Sequence, residues 1–384
     1  MRHFVLFFAA VLILFSGMVH AWAEEASSQP QDSFQEALDE YLEQGDGEEL
    51  VQQVPPSARE VAPETGESIR DTLDSFRPQV LLARCTALIR QYISAPAQAL
   101  LVLTGVLILC SVLDAMGSSL SQGEQGAVMK ILLCVFVAAF ITGPVVDCIL
   151  DVVNALHDFS LFITTFIPIL AGVMTAGGQP LTGAVYNILL FGACQLMASF
   201  VSAFLAPLLC AYLALSVTSV TCPGFHLEDA AAGLRSFGVW AMTLFLTVFT
   251  GLLTIQGVVA SGGDQATVKT AKFMIGSLIP GIGGALSDLY VAAQGYLQIA
   301  KGTLGAFGVA VTVLTFLPLL LRILLWYLSL NLAALMSGIL GSGSISSLLR
   351  QLSGALGLLL AVLCCQLLLV VISTTMVMIA FQTP

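Results

Sequence analysis

Between Leu304 and Leu340 the chain carries a single charged side chain, Arg322, and between Ala184 and Val220 it carries none. A helix needs about 20 apolar residues to cross ~30 Å of hydrocarbon. Each of these runs exceeds that length, and further apolar runs approach it. Charged residues make up only 10% of the chain and hydrophobic ones 57%, against roughly 25% charged in soluble domains. Lipid is therefore the natural solvent for most of this polypeptide. The expected fold class is all-α, a polytopic bundle of transmembrane helices.

The start of the chain follows another logic. Met1-Arg2-His3 precedes an apolar run from Phe4 to Phe15, and Ala21-Trp22-Ala23 stands before Glu24. A positive end, a short hydrophobic stretch and a small-x-small site predict a signal peptide over residues 1–23, cleaved after Ala23. Residues 24–96 then form an acidic extracytoplasmic segment, with fifteen Asp and Glu against five Arg, a net charge of −10 within the −11 of the whole chain. Because the acidity is confined to this segment, nucleic acid is not an expected partner. Residues 24–60 are rich in Glu, Gln, Ser and Pro, a composition that predicts mobility over much of the stretch. Phe34, Leu38, Tyr41 and Leu42 share one helical face; Ile69, Leu73, Phe76 and Val80 start another that continues past Pro78 to Leu88 and Tyr92. Both faces require a partner surface, since so few large apolar groups cannot build a separate core.

From residue 97 to 384 the chain reads as a membrane domain of about seven to eight helices. The clearest spans are Ala97 to Leu113, Ile131 to Leu150, Leu161 to Ala176 and Phe237 to Ala260, and Leu352 to Phe381 supplies a last crossing. Pro207 near the middle of the 184–220 run predicts two helices or one kinked helix. Pro318 and Arg322 pose the same question for 304–340. A hairpin there puts Arg322 at an interface, whereas a continuous helix places it inside the bilayer at a cost of about 2.5–3.5 kcal/mol; the hairpin is the expectation. The signal peptide puts residues 24–96 outside, and Lys130 then falls at the inner face.

Catalytic chemistry finds little support. There is no H-E-x-x-H, no phosphate-binding Gly-rich loop and no readable Ser/His/Asp grouping, and the nine cysteines form no C-x-x-C pair, so neither metal nor cofactor is expected. The cysteines read as small polarizable packing residues. Polar groups at membrane depth are more informative: Asp114, Asp147, Asp151, Gln195, Gln256, Asp288, Gln298, Lys301, Arg322, Asn331 and Gln366. Snorkelling near helix ends accounts for Asp114, Asp147, Asp151 and Arg322, and bonding between helices for Gln195 and Gln366.

One stretch stands apart. It contains Thr254-Ile255-Gln256-Gly257, then Lys269-Thr270-Ala271-Lys272-Phe273, then Ile279-Pro280-Gly281-Ile282-Gly283-Gly284-Ala285-Leu286-Ser287-Asp288, and later Lys301-Gly302 with Gly305 and Gly308. A helix carrying Pro280 and three glycines nearby is expected to break over 273–290. Broken backbone at membrane depth persists only where protein or a water-filled cavity satisfies it. Gln256, Lys272, Pro280, Gly283, Gly284, Ser287, Asp288 and Lys301 are the candidate structural or channel motif, with close helix packing through small residues as the alternative.

These same residues carry a family resemblance. The motifs at 254–257, 269–273, 279–288 and 301–305, followed by Leu317-Pro318-Leu319-Leu320, resemble the stage III sporulation protein AE family, whose layout of signal peptide, acidic segment and multi-span domain is also similar. This chain departs from the family pattern at Gly302, at Arg322, and at Ser337-Gly338 after Met336. The resemblance implies a non-enzymatic membrane subunit of the stage III sporulation A complex, a specialised secretion or feeding channel between mother cell and forespore. Its implied location is the mother-cell-derived outer forespore membrane. Its implied partners are the other membrane proteins of that complex and a forespore-side protein across the intermembrane space. A second reading, a stand-alone secondary transporter with a midplane site near 280–301, follows from the break itself; only one strong broken segment is visible, whereas such transporters carry two.

Overall fold

The computed structural model describes residues 50, 52–61, 72, 78–120, 124–221, 227–278 and 283–379. The expected signal peptide, Pro280 and the helical faces at 34–42 and 69–76 lie outside these residues.

Among the described residues the fold is helical throughout, with no strand. The elements are α1 (Pro56–Val61), α2 (Pro78–Tyr92), α3 (Ser94–Leu120), α4 (Glu124–Ala176), α5 (Pro180–Tyr186), α6 (Gly192–Phe200), α7 (Ala206–Thr221), α8 (Leu227–Leu278), α9 (Gly283–Ile339) and α10 (Gly343–Ile379). Two π-helical turns, Asn187–Phe191 and Val201–Leu205, join α5 to α6 and α6 to α7. Among the described residues, six stretches are long and apolar enough to cross a membrane: Ser94–Val112, Ile131–Ala176, Pro180–Ser219, Asp229–Gln256, Ala300–Ile339 and Gly343–Thr374. The protein is a multi-pass membrane protein.

Two apolar runs behave differently from their sequence, and a third takes one of its two expected forms. The expected spans at 131–150 and 161–176 are one helix, α4, which is continuous through Pro144 and Pro168. The run from 184 to 220 takes a single helical path, and the wide turn at Val201–Leu205 ends just before Pro207. Pro207 has no N–H to offer the carbonyl of Ala203, so a widened turn at that point absorbs the lost bond. The hairpin expected at Pro318–Arg322 does not form, because α9 passes through both residues. The chain reverses instead at Gly341, whose φ of 83° only glycine adopts freely. There the Ser342 N–H reaches back to the Ser337 carbonyl at 3.1 Å and closes the helix end. Gly178, at φ 80°, ends α4 in the same way, with the Gln179 N–H donating to the Met174 carbonyl at 2.9 Å.

α9 is the axis of the bundle: most residues of its most apolar part are buried. α4 packs along it through a ladder of rings. Phe159 lies 5.0 Å from Phe316 and Phe162 lies 6.3 Å from Phe307, centroid to centroid, and Phe166 stacks on Phe162 at 5.3 Å. α10 runs back antiparallel, with Gly357 facing Tyr327 and the Ser346 hydroxyl donating to the Ala334 carbonyl at 2.9 Å. The segment before the membrane domain is not separate from it. Leu50, Val54, Ala58 and Val61 are buried in the same core, and Gln53 is hydrogen-bonded to Thr165 of α4. Although mobility was expected here, α1 has found the partner surface its apolar face requires.

Candidate functional site

Among the described residues, two polar centres interrupt this apolar bundle. The first lies at the α4–α5 turn. Pro180 is the first residue of α5 and has no N–H to satisfy. The next two N–H groups, of Leu181 and Thr182, donate to Asp264 Oδ1 at 3.0 Å and Oδ2 at 2.8 Å. The fourth, of Gly183, donates to the Gln179 carbonyl at 3.0 Å. All four opening positions of the helix are thus accounted for, and the cap comes from α8 rather than from Gln179, whose side chain makes no capping bond. Asp264 is fully buried and Gln179 nearly so. Lys301 of α9, also buried, donates from Nζ to Gln179 Oε1 at 3.1 Å. A carboxylate from α8 and an ammonium from α9 therefore grip neighbouring residues of one turn, tying together three long helices.

The second centre lies near the middle of the apolar stretch of α9, Ala300–Ile339. Arg322 forms an ion pair with Asp151 of α4, both side chains about a third exposed at 36% and 35%. This pairing is why α9 can carry Arg322 through its middle without a hairpin: the guanidinium meets a carboxylate instead of lipid. The Tyr92 hydroxyl donates to Glu60 Oε1 at 3.5 Å beside them. Burial pushes the Tyr92 phenol above its ordinary value, Glu60 adds to the rise, and Arg322 opposes it. A cavity of ≈ 390 Å³ opens here, lined by Gln91, Tyr92, Asp147, Arg322 and Trp326 among others.

Of the eight candidate motif residues, only Lys301 is placed in a polar centre by its described side chain, whereas Asp151 and Arg322, read as snorkelling groups, form the second centre. Gln256 is exposed on α8 and is not part of the Lys301 cluster. Lys272 lies further along α8, and Gly283, Gly284, Ser287 and Asp288 occupy the opening turns of α9. Within the expected break of 273–290, α8 runs on to Leu278 and α9 starts at Gly283, so 273–278 and 283–290 are helical, and 279–282 lie outside the described residues. Gln366 bonds between helices, from Nε2 to Cys194 Sγ at 3.4 Å. Sequence reasoning missed Asp264, Gln179 and Glu60. The signals were present: Gly262-Gly263-Asp264 is an acid in an otherwise low-charge helix, and Gly177-Gly178-Gln179-Pro180 reads as a helix stop and start. Among the described residues no three His, Cys, Asp or Glu side chains gather as a metal site, and the described cysteines are free thiols.

The family model described as stage III sporulation protein AE matches residues 65–381. A curated relative, the stage III sporulation protein AE of Bacillus subtilis (strain 168), is 23% identical over 306 residues, which cover 80% of this chain and 77% of the relative. No solved structure matches the chain.

Proposed function

We propose, because this chain belongs to the stage III sporulation protein AE family, that it serves endospore formation as a non-enzymatic membrane subunit of the stage III sporulation A complex, the channel between mother cell and forespore. The observation that carries this reading is the family match over residues 65–381, which takes in the six apolar stretches together with Asp151, Gln179, Asp264, Lys301 and Arg322. The chemistry of those centres supports a structural role. Asp264, Lys301, Asp151 and Arg322 are each engaged with the chain's own backbone or side chains, which suits fixed struts in a scaffold. The subunit sits in the outer forespore membrane, beside the other membrane proteins of the complex and facing a forespore-side partner. Gly283, Gly284, Ser287 and Asp288, together with Gln256 and Lys272, belong in this proposal to the surface that lines or abuts the conduit.

Deleting the gene in its sporulating host tests this. Forespores that fail to develop after engulfment, and co-purification of the sister membrane proteins with the tagged chain, are the expected results. Normal spore yield from the deletion strain would overturn the reading. Solute uptake by liposomes holding this chain alone would replace it with the transporter.

A further inference from the structure

The cavity beside Arg322 lies where an apolar surface ends. α3 runs antiparallel to α4: Ala95 and Pro144 line this cavity together, and further along Cys110 lies near Cys134. The outer faces of the pair are apolar, with Leu101 and Ile108 on α3 and Leu132, Phe136 and Phe140 on α4 all exposed. The apolar stretch of α3, Ser94–Val112, has 19 residues, about 28 Å at the helical rise, which matches one thickness of hydrocarbon. It starts just after Arg90 and Gln91, both exposed on α2. Between Lys130 and Asp147, α4 carries no charged residue. On this side of the bundle the lipid-facing surface therefore gives way to polar groups at the level of Gln91, Ser94 and Asp147, all of which line the cavity.

The charges there do not balance. A guanidinium has five N–H donors, and at Arg322 a bond from Nη1 goes to Asp151. Asp147 stands one turn before Asp151 on α4, is exposed, and makes no ion pair with a described residue. Like charges four residues apart on a helix repel. Two carboxylates thus face one guanidinium, and the cavity is one positive charge short while Arg322 keeps donors to spare. Tyr92 and Trp326 complete the wall with aromatic rings, which attract cations and concentrate at membrane boundaries. The volume, ≈ 390 Å³, falls in the range of small-ligand sites, about 300–1,000 Å³.

We infer that this cavity holds the phosphoethanolamine headgroup of a phospholipid. The ammonium pairs with Asp147 beside the rings of Tyr92 and Trp326, and the phosphate takes guanidinium N–H groups that Asp151 leaves over. The acyl chains lie along the apolar faces of α3 and α4. Soluble phosphoethanolamine brings the same charges but gains nothing from those faces. A choline headgroup brings a cation without N–H donors, and a glycerol headgroup brings no cation for Asp147. The site goes beyond the sporulation role and does not rest on it.

The test uses the full-length chain in detergent micelles. The chain has three tryptophans, so Trp22→Phe with Trp240→Phe leaves Trp326 as the reporter in the cavity wall. Phospholipids with brominated acyl chains are titrated against unbrominated phosphatidylcholine, and quenching of Trp326 gives the relative affinity of each headgroup. An exposed ion pair and a cation–π contact set the expected preference for phosphatidylethanolamine over phosphatidylcholine and phosphatidylglycerol at about fivefold. Asp147→Asn should abolish that preference while quenching by brominated phosphatidylcholine stays at the parent level, which also reports that the variant is folded. A protein with Trp240 as its sole tryptophan should show no preference. Equal quenching by all three lipids, a preference for phosphatidylglycerol, or a preference that survives in Asp147→Asn would overturn the inference. Relief of the quenching by soluble phosphoethanolamine at the lipid's own concentration would overturn the lipid as the source of the group.

Discussion

Replacing Asp264 removes the cap of a helix that lies more than eighty residues away in sequence. In Asp264→Ala the N–H groups of Leu181 and Thr182 lose their acceptor. Thr182 is 3% exposed, so water does not replace the carboxylate there, whereas Leu181 is 49% exposed and recovers part of its loss. A buried orphaned donor costs about 1–3 kcal/mol and a lost cap about 1 kcal/mol, which together give about 2–4 kcal/mol. Asp264→Asn retains one acceptor oxygen and should cost about half as much on the same grounds. The assay is unfolding in mixed non-ionic and SDS micelles, followed by helical circular dichroism, with limited proteolysis to detect opening of the 176–182 turn. Parent-like stability for Asp264→Ala, within ~0.5 kcal/mol, the usual range of an inert surface change, would refute the capping argument. So would equal losses for Ala and Asn.

Further outcomes follow from the packing. A Cβ at Gly308 would run into the Phe166 ring, inside a stacked ring ladder, so Gly308→Ala should cost about 1–3 kcal/mol in the same micelle assay, and less in a Phe166→Leu background. Arg322→Gln and Asp151→Asn each strand a half-buried charge. The double variant should recover part of the loss, with a coupling of about 1–2 kcal/mol in a double-mutant cycle. Gln366→Met should be neutral or stabilising in thermal unfolding, because the Gln366 Oε1 is buried without a hydrogen-bond partner and the change removes an unsatisfied acceptor.

Hydrophobicity made the membrane and the all-helical class legible before any coordinate. Leu304–Leu340 and Ala184–Val220 have no stable conformation in lipid other than one that satisfies its own amides. The same signal misjudged where helices end. Charged and Pro positions such as Asp151, Pro318 and Arg322 look like interruptions when each helix is read alone. In the bundle they are interior positions of α4 and α9, since Asp151 and Arg322 neutralise one another across the helix pair. The glycine turns show the opposite case: Gly178 and Gly341 end their helices through local backbone geometry, a property written into single residues.

What the sequence determined by itself is therefore the solvent, the helical class, the family and the local stops, because each depends on composition, or on residues close together in the chain. Which helices are continuous, which acid caps α5, and where α1 finds its core were decided only by tertiary structure. Asp264 with Leu181, Lys301 with Gln179, and Arg322 with Asp151 are pairings across 83, 122 and 171 positions. Interactions at that range have no local pattern to announce them; they form when packing of the apolar faces brings the partners together and, at Asp264 and Lys301, leaves the polar groups little water to bind.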